Sequence, residues 1–177
     1  MKNSNQSETP CCQGGGIDYS VCHKTLLTYT VATGCPVQMF DESFRLLESA
    51  GDSKIEQGIC PHCAAFAKGP ASGSLSVRGT ACYEMHLNAV RESGNLGRPY
   101  IYQCALGFKF WACPVYSENK FFGVLRGSGY LDSKADIQVF EAGCNGTITP
   151  EDFSRRVSVF PVCGDEKIIS LAEMLLL

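Results

Sequence analysis

Phe108-Lys109-Phe110-Trp111-Ala112-Cys113-Pro114-Val115-Tyr116, then Ser117-Glu118-Asn119-Lys120, then Phe121-Phe122-Gly123-Val124-Leu125-Arg126-Gly127-Ser128-Gly129-Tyr130-Leu131: this stretch decides the fold. From 108 to 116 the side chains alternate. Phe108, Phe110 and Ala112 point one way, and Lys109, Trp111, Cys113 and Val115 the other, which is the period of a strand. Ser117 to Lys120 is turn chemistry. Phe121 to Leu131 reads as a second strand, so the pair forms a hairpin and the sheet is antiparallel.

Working outward, Tyr100-Ile101-Tyr102-Gln103-Cys104 is a further strand-like run, and so is Cys35-Pro36-Val37-Gln38-Met39-Phe40. Cys82 to Ser93 reads as a helix with Met85, Ala89 and Val90 on one side, ended by Gly94. Ile17 to Thr33 reads as one helix containing Val21, Leu26, Leu27 and Val31. Asp41 is expected to cap a helix through Glu42, Ser43, Phe44, Leu46 and Leu47, stopped near Gly51. Residues 51–81 are irregular. Ser133 to Ala142 reads as helical, and Thr149-Pro150-Glu151-Asp152 as a helix start, with Thr as cap and Pro at the first position. Gly164 to Leu177 forms a last helix with Ile168, Ile169, Leu171, Leu175 and Leu176 apolar.

The 177 residues carry 15 basic and 18 acidic side chains, and 45% are apolar. That is one domain with a real core. Aromatic residues are too frequent and charge too balanced for a disordered chain. No apolar stretch reaches the roughly 20 residues that span a bilayer. Residues 1–16 are expected to be a mobile polar arm without the apolar region of a signal peptide, which together with the thiols below points to the cytoplasm. A slightly acidic chain with no Lys/Arg cluster is not expected to bind nucleic acid directly.

Cysteine is over-represented, with 11 residues and an odd count. Reduced thiols are therefore the stronger reading and a disulfide scaffold the weaker. The usual nucleotide-binding, serine-hydrolase and zinc-protease motifs are absent. A nucleophilic pair such as Cys104 with His86 has no support from spacing. The informative constellation is Cys60-x-x-Cys63, then Cys82-x-x-x-His86, then Cys104. It offers a sulfur or sulfur/nitrogen set suited to zinc or an iron–sulfur cluster. Buried core thiols and a redox Cys-x-x-Cys pair are the alternatives, and the sequence leaves all three open.

Aromatic residues crowd the hairpin and its neighbour. Most belong to a sheet core. The functional reading is a small apolar cavity with a few hydroxyls and thiols, and Tyr102, Cys104, Phe108, Phe110, Trp111 and Phe122 are its candidate lining. Glycines 107, 123, 127 and 129 are expected to thin the sheet and leave room for a guest.

Tyr100-Ile101-Tyr102-Gln103-Cys104-Ala105-Leu106-Gly107-Phe108, then Pro114-Val115, then Phe122-Gly123-Val124-Leu125 and Gly127-Ser128-Gly129 resemble the PocR sensory domain. Cys60 and Cys82 resemble that family's first cysteine and the one that opens its helix. Cys35 to Asp41 resembles its first strand, which ends in Asp before a turn. The chain departs from the pattern at Ala105, where the family often has His, and in its extra Cys63, Cys11 and Cys12. The resemblance begins near residue 20. It implies an α+β, PAS-like antiparallel sheet flanked by helices, with a C-terminal signalling helix and a ligand on the inner face of the sheet. It further implies a non-enzymatic sensor of a small hydrocarbon derivative such as a short diol, placed before a DNA-binding or kinase output domain that this chain does not contain. The apolar segment Ile168–Leu177 fits such a signalling helix, and a homodimer through it is expected. The alternative on the same fold is a redox or gas sensor with zinc or an iron–sulfur cluster on Cys60, Cys63, Cys82, Cys104 and His86. A thiol enzyme ranks below both.

Overall fold

A computed structural model describes residues 18–43, 45–51, 81–104, 107–132, 151, 155, 158 and 160–176, with the backbone alone at 81, 82, 131 and 132. Its elements run α1 (Tyr19–Thr33), β1 (Val37–Asp41), β2 (Leu46–Ala50), α2 (Ala81–Leu96), β3 (Tyr100–Gln103), β4 (Phe108–Ser117), β5 (Lys120–Asp132), β6 (Val162–Cys163) and α3 (Asp165–Glu173). The strands form one sheet in the order β2-β1-β5-β4-β3, and β6 adds to β5. Neighbours along that path are antiparallel, whereas β6 lies parallel to β5 at Leu131 and Asp132. The α+β architecture implied by the resemblance is present, including the C-terminal helix.

The hairpin forms where its sequence places it. Ser117 pairs with Lys120, so Glu118 and Asn119 make a two-residue turn. Both are left-handed, at φ 50° and 63°. That is the mirror-image turn whose twist matches the strands.

The segment after Asp41 is a correction. It is strand β2, not a helix. Asp41 accepts hydrogen bonds from the Arg45 amide at 2.8 Å and from the Arg45 guanidinium at 2.7 Å, and its own N–H donates to the Arg45 carbonyl at 2.9 Å. The carboxylate that would cap a helix closes a strand turn instead. Register explains the outcome: β1 bonds β5 on one side, and β2 supplies the backbone partners on the other.

α1 begins at Asp18, whose carboxylate accepts from the Ser20 and Val21 amides, and ends at Gly34, left-handed at φ 71°. The Ser20 side chain and, with it, these two amides hold the Asp18 carboxyl below the usual range by hydrogen bonding. The inward face of α1 is Cys22, Leu26 and Tyr29, while Val21, Leu27 and Val31, read as part of its apolar set, are exposed. α2 passes through Gly94 and stops at Leu96. Gly97, left-handed at φ 64°, donates its N–H to the Ser93 carbonyl. Gly94 is needed for closeness, since a Cβ there would sit 3.0 Å from the Phe121 ring.

Among the described residues, two apolar cores lie on opposite faces of the sheet. One joins α1 and α3 to Val37, Met39, Trp111, Cys113, Val115, Leu125 and Tyr130. In the other, α2 packs through Tyr83, Leu87 and Val90 on Phe40, Ala112, Val124 and Tyr102. α3 is fastened by polar anchors as well as apolar ones. Tyr29 donates its hydroxyl to the Leu171 carbonyl at 3.1 Å, and Cys113 its thiol to the Ala172 carbonyl at 3.1 Å. Ile168, Leu171, Ala172 and Leu175 are buried there, whereas Ile169, Met174 and Leu176 are exposed. No helix among the described residues is long and apolar enough to cross a membrane. The expected arm, the helix from Ser133 and most of the segment after Thr149 lie outside the described residues; Glu151 and Arg155 in that last segment are helical.

Candidate functional site

The face of the sheet beneath α2 carries a polar set that apolar packing does not call for. Strand register builds it. Gln38 on β1 lies opposite Arg126 on β5, Arg126 opposite Ala112 on β4, and Ala112 opposite Tyr100 on β3. The next row is Ser128, Phe110 and Tyr102, and the row on the other side holds Phe40 and Val124. Arg126 thus stands at the centre of the sheet, with Phe40 and Phe110 as diagonal neighbours.

Arg126 is only 2% exposed. Its Cζ lies 5.6 Å from the centroid of Phe40 and 5.5 Å from that of Phe110. Ring faces attract a cation, and more strongly where water is excluded. Gln38, also buried, accepts a hydrogen bond from Arg126 Nη2 through its Oε1. Ala112 beside it contributes only a methyl group.

α2 supplies the cover. Tyr83, His86, Leu87, Val90 and Ser93 recur at helical spacing on its inward side. His86 is fully buried, with Nδ1 hydrogen-bonded to Tyr102 Oη at 2.8 Å and its ring edge-on to Phe110 at 4.9 Å. Tyr102 stacks on Phe110 with centroids 5.4 Å apart, and Tyr100 on Tyr102 at 6.3 Å. Phe110 therefore touches Arg126, His86 and Tyr102 together. Ser93 places its hydroxyl 2.9 Å from the Ala112 carbonyl and 3.2 Å from that of Arg98, which ties α2 to β4. This face offers charged and neutral donors, an amide acceptor and aromatic walls, the combination by which a small organic molecule is held and oriented.

The six residues expected to line one cavity do not converge. Tyr102 and Phe110 are on this face. Phe108 packs edge-on against Phe160 at 5.2 Å. Trp111 and Phe122 belong to the opposite core with α1 and α3. Cys104 is buried in the connection between β3 and β4, its N–H donating to the Phe108 carbonyl at 3.0 Å. Nor do Gly123 and Gly127 leave room for a guest. A Cβ on Gly127 would overlap the Trp111 indole, and one on Gly123 would overlap the Phe40 carbonyl. The room they make is filled by the chain itself. Sequence reasoning missed Arg126, Gln38, Ser93 and Ser128. The signal was present in Phe-Phe-Gly-Val-Leu-Arg-Gly-Ser-Gly-Tyr: a single charge inside an apolar strand.

Of the metal-site candidates, Cys60 and Cys63 lie outside the described residues, as does the side chain of Cys82 in the first turn of α2. His86 and Cys104 are placed as above. Among the described residues no three His, Cys, Asp or Glu side chains group to hold a metal ion. Cys22, Cys35 and Cys113 are thiols of the opposite core. Burial pushes all three up, Cys113 to about 12. Thiols so raised are poor nucleophiles at neutral pH.

A family model described as "Sensory domain found in PocR" matches residues 17–177. No curated protein and no solved structure matches the chain significantly.

Proposed function

The chain belongs to the PocR sensory-domain family, and from that premise we propose that it is the ligand-sensing domain of a regulator, with its effector held between the sheet and α2. One observation carries the placement: Arg126, Gln38, His86, Ser93 and Ser128 are all buried on that face, with Arg126 and His86 against Phe110. Burying polar groups costs stability that an apolar core would not lose. The opposite face needs no such set to hold α1 and α3. The effector is a small hydrocarbon derivative whose carbon skeleton lies against Phe110 and Tyr102. Sensing needs no bond-breaking step, only a difference in affinity between two states of the domain.

The test is thermal unfolding of the full chain with short diols, aldehydes and carboxylates, followed by calorimetric titration of any compound that stabilises it. A binder at a hundredfold excess over its Kd adds about 2.7 kcal/mol. Tyr102→Phe removes one hydroxyl and keeps the ring, so it weakens that binder several-fold. If no compound raises the melting temperature, or if Tyr102→Phe and Phe110→Leu bind as the parent does, this placement is wrong.

The rival sensor, with zinc or an iron–sulfur cluster on Cys60, Cys63, Cys82, Cys104 and His86, is decided by metal and acid-labile sulfide assays on protein purified without oxygen. Iron with stoichiometric sulfide would move sensing to those residues. The homodimer expected through α3 would use exposed Ile169, Met174 and Leu176. A monomer by light scattering at high concentration removes it.

A further inference from the structure

We infer that the chain pairs with a second copy of itself through crossed helices, α1 of one copy against α3 of the other; this rests on the reading of α3 as a homodimer surface. The exposed apolar side chains are gathered on one side of the molecule. Among the described residues, only Leu96 and Tyr116 of the large ones stand away from α1, β6 and α3. Val21, Leu27 and Val31 belong to α1, and Ile169, Met174 and Leu176 to α3 and the residues that follow it. Single exposed apolar residues are ordinary, but a gathering of them on one side marks a surface that meets a partner. Leu27 and Val31 lie one turn apart, on the side of α1 away from buried Cys22, Leu26 and Tyr29, and Val31 is 79% exposed. α1 and α3 cover the same face of the sheet and touch there, with Tyr29 donating its hydroxyl to the Leu171 carbonyl at 3.1 Å.

Charge decides how two such faces meet. α1 contains no Asp or Glu. Its cap, Asp18, is engaged by the Ser20 and Val21 amides, and its His23 lies 3.4 Å from Glu48. Lys24, one turn before Leu27, is the charge that α1 turns outward beside its apolar stripe. α3 has the opposite sign. Asp165 is bound by Lys109 at 3.1 Å, and Lys167 lies over the Tyr130 ring at 4.6 Å. Glu166 and Glu173, two turns apart, share the side of α3 away from buried Ile168, Leu171 and Ala172. α3 against α3 would bring those carboxylates together, and α1 against α1 would oppose two Lys24 side chains. Like charges across an interface disfavour it, and opposite charges fix its register. The crossed arrangement alone sets Lys24 of each copy against the acidic side of the other. Because both helices lie on one face, a single two-fold axis makes both crossed contacts at once and closes the pair.

The experiment is sedimentation velocity of the full chain over a range of concentrations, in reducing buffer so that no disulfide links two copies. The parent is expected to dimerise. Lys24→Glu places like charges across the crossed contact, and so does a chain carrying Glu166→Lys and Glu173→Lys. Each variant is expected to raise the dimer Kd roughly tenfold or more. An equal mixture of the two sets opposite charges at both crossed contacts, so it is expected to dimerise within about threefold of the parent. A dimer joined by α3 alone would ignore Lys24→Glu. Should the acidic-side variant fail to fold by circular dichroism, Glu173→Lys alone takes its place in the mixture. If a dimer forms and Lys24→Glu leaves its Kd unchanged, or if mixing rescues nothing, the crossed pairing falls and dimerisation through α3 stands. If the parent is a monomer throughout, both fall.

Discussion

Trp111 and Gly127 face each other across β4 and β5, and the indole occupies the place where a side chain on Gly127 would be. Trp111 is fully buried and has nowhere to retreat. Gly127→Ala is therefore expected to cost about 2–3 kcal/mol, the range of an overpacked core, read as a lower urea midpoint at unchanged slope. An unchanged midpoint would mean that the indole swings aside. The buried thiols set the response to alkali. Cys113 in the folded chain is pushed up to about 12, above its ordinary 9.0, by burial. Cys22 and Cys35 move the same way for the same first reason. Unfolded thiols lose their protons first, so below about pH 9 these groups leave stability unchanged. From there up to about pH 12 stability falls, by roughly 1.4 kcal/mol per pH unit for Cys113 alone. Urea midpoints from pH 8 to 11 check the sign, and a flat profile would refute it. Residue type and neighbours along the chain showed that cysteine was unusual here. They could not show that Cys22, Cys35 and Cys113 share one core, because that follows from which helix covers which face.

At the scale of elements, the β4–β5 hairpin was legible in full: alternation, turn residues and the second strand all stand in the sequence. Its turn is not ideal, since Glu118 is left-handed at φ 50° without the side chain that tolerates it. Glu118→Asn is expected to raise stability by about 0.5–1 kcal/mol and to leave ligand binding unaffected. A lower melting temperature would count against the turn assignment. β2 was not legible. Phe44, Leu46, Leu47 and Ala50 follow helical spacing closely enough, and Asp41 is a good cap. The segment becomes a strand because β1 needs backbone partners on its outer edge, a demand that comes from β5 and not from residues 41–51. α1 misled for a related reason. Its hydroxyls bond backward to the carbonyls one turn before, Thr25 to Val21, Thr28 to Lys24 and Thr33 to Tyr29. Its buried stripe is set by where the sheet lies, which leaves Val31 79% exposed.

On the scale of the whole molecule, one sheet serves two cores, and β4 belongs to both. Phe110 and Ala112 face α2, whereas Trp111 and Cys113 face α1 and α3. Alternate residues of a strand cannot be displaced independently, so disturbance of Phe110 by a ligand bears on the Cys113 anchor of α3. Unfolding should be a single cooperative event for the same reason. Fluorescence of Trp111, the sole tryptophan, reports the α1/α3 side, and far-ultraviolet dichroism reports all elements. The two urea transitions are expected to superpose. A Trp111 transition that precedes the other would show that the cores separate.

The hairpin, the antiparallel α+β class, the family and the apolar character of the last helix can be read from residue order alone, because each rests on neighbours close along the chain. Folding settles which aromatic residues share a face, that glycines 123 and 127 admit the protein's own atoms, and that Arg126 stands beside Phe40 and Phe110. Those facts depend on strand register. Register pairs Gln38 with Arg126 and Arg126 with Ala112 across three strands, and no local pattern encodes it.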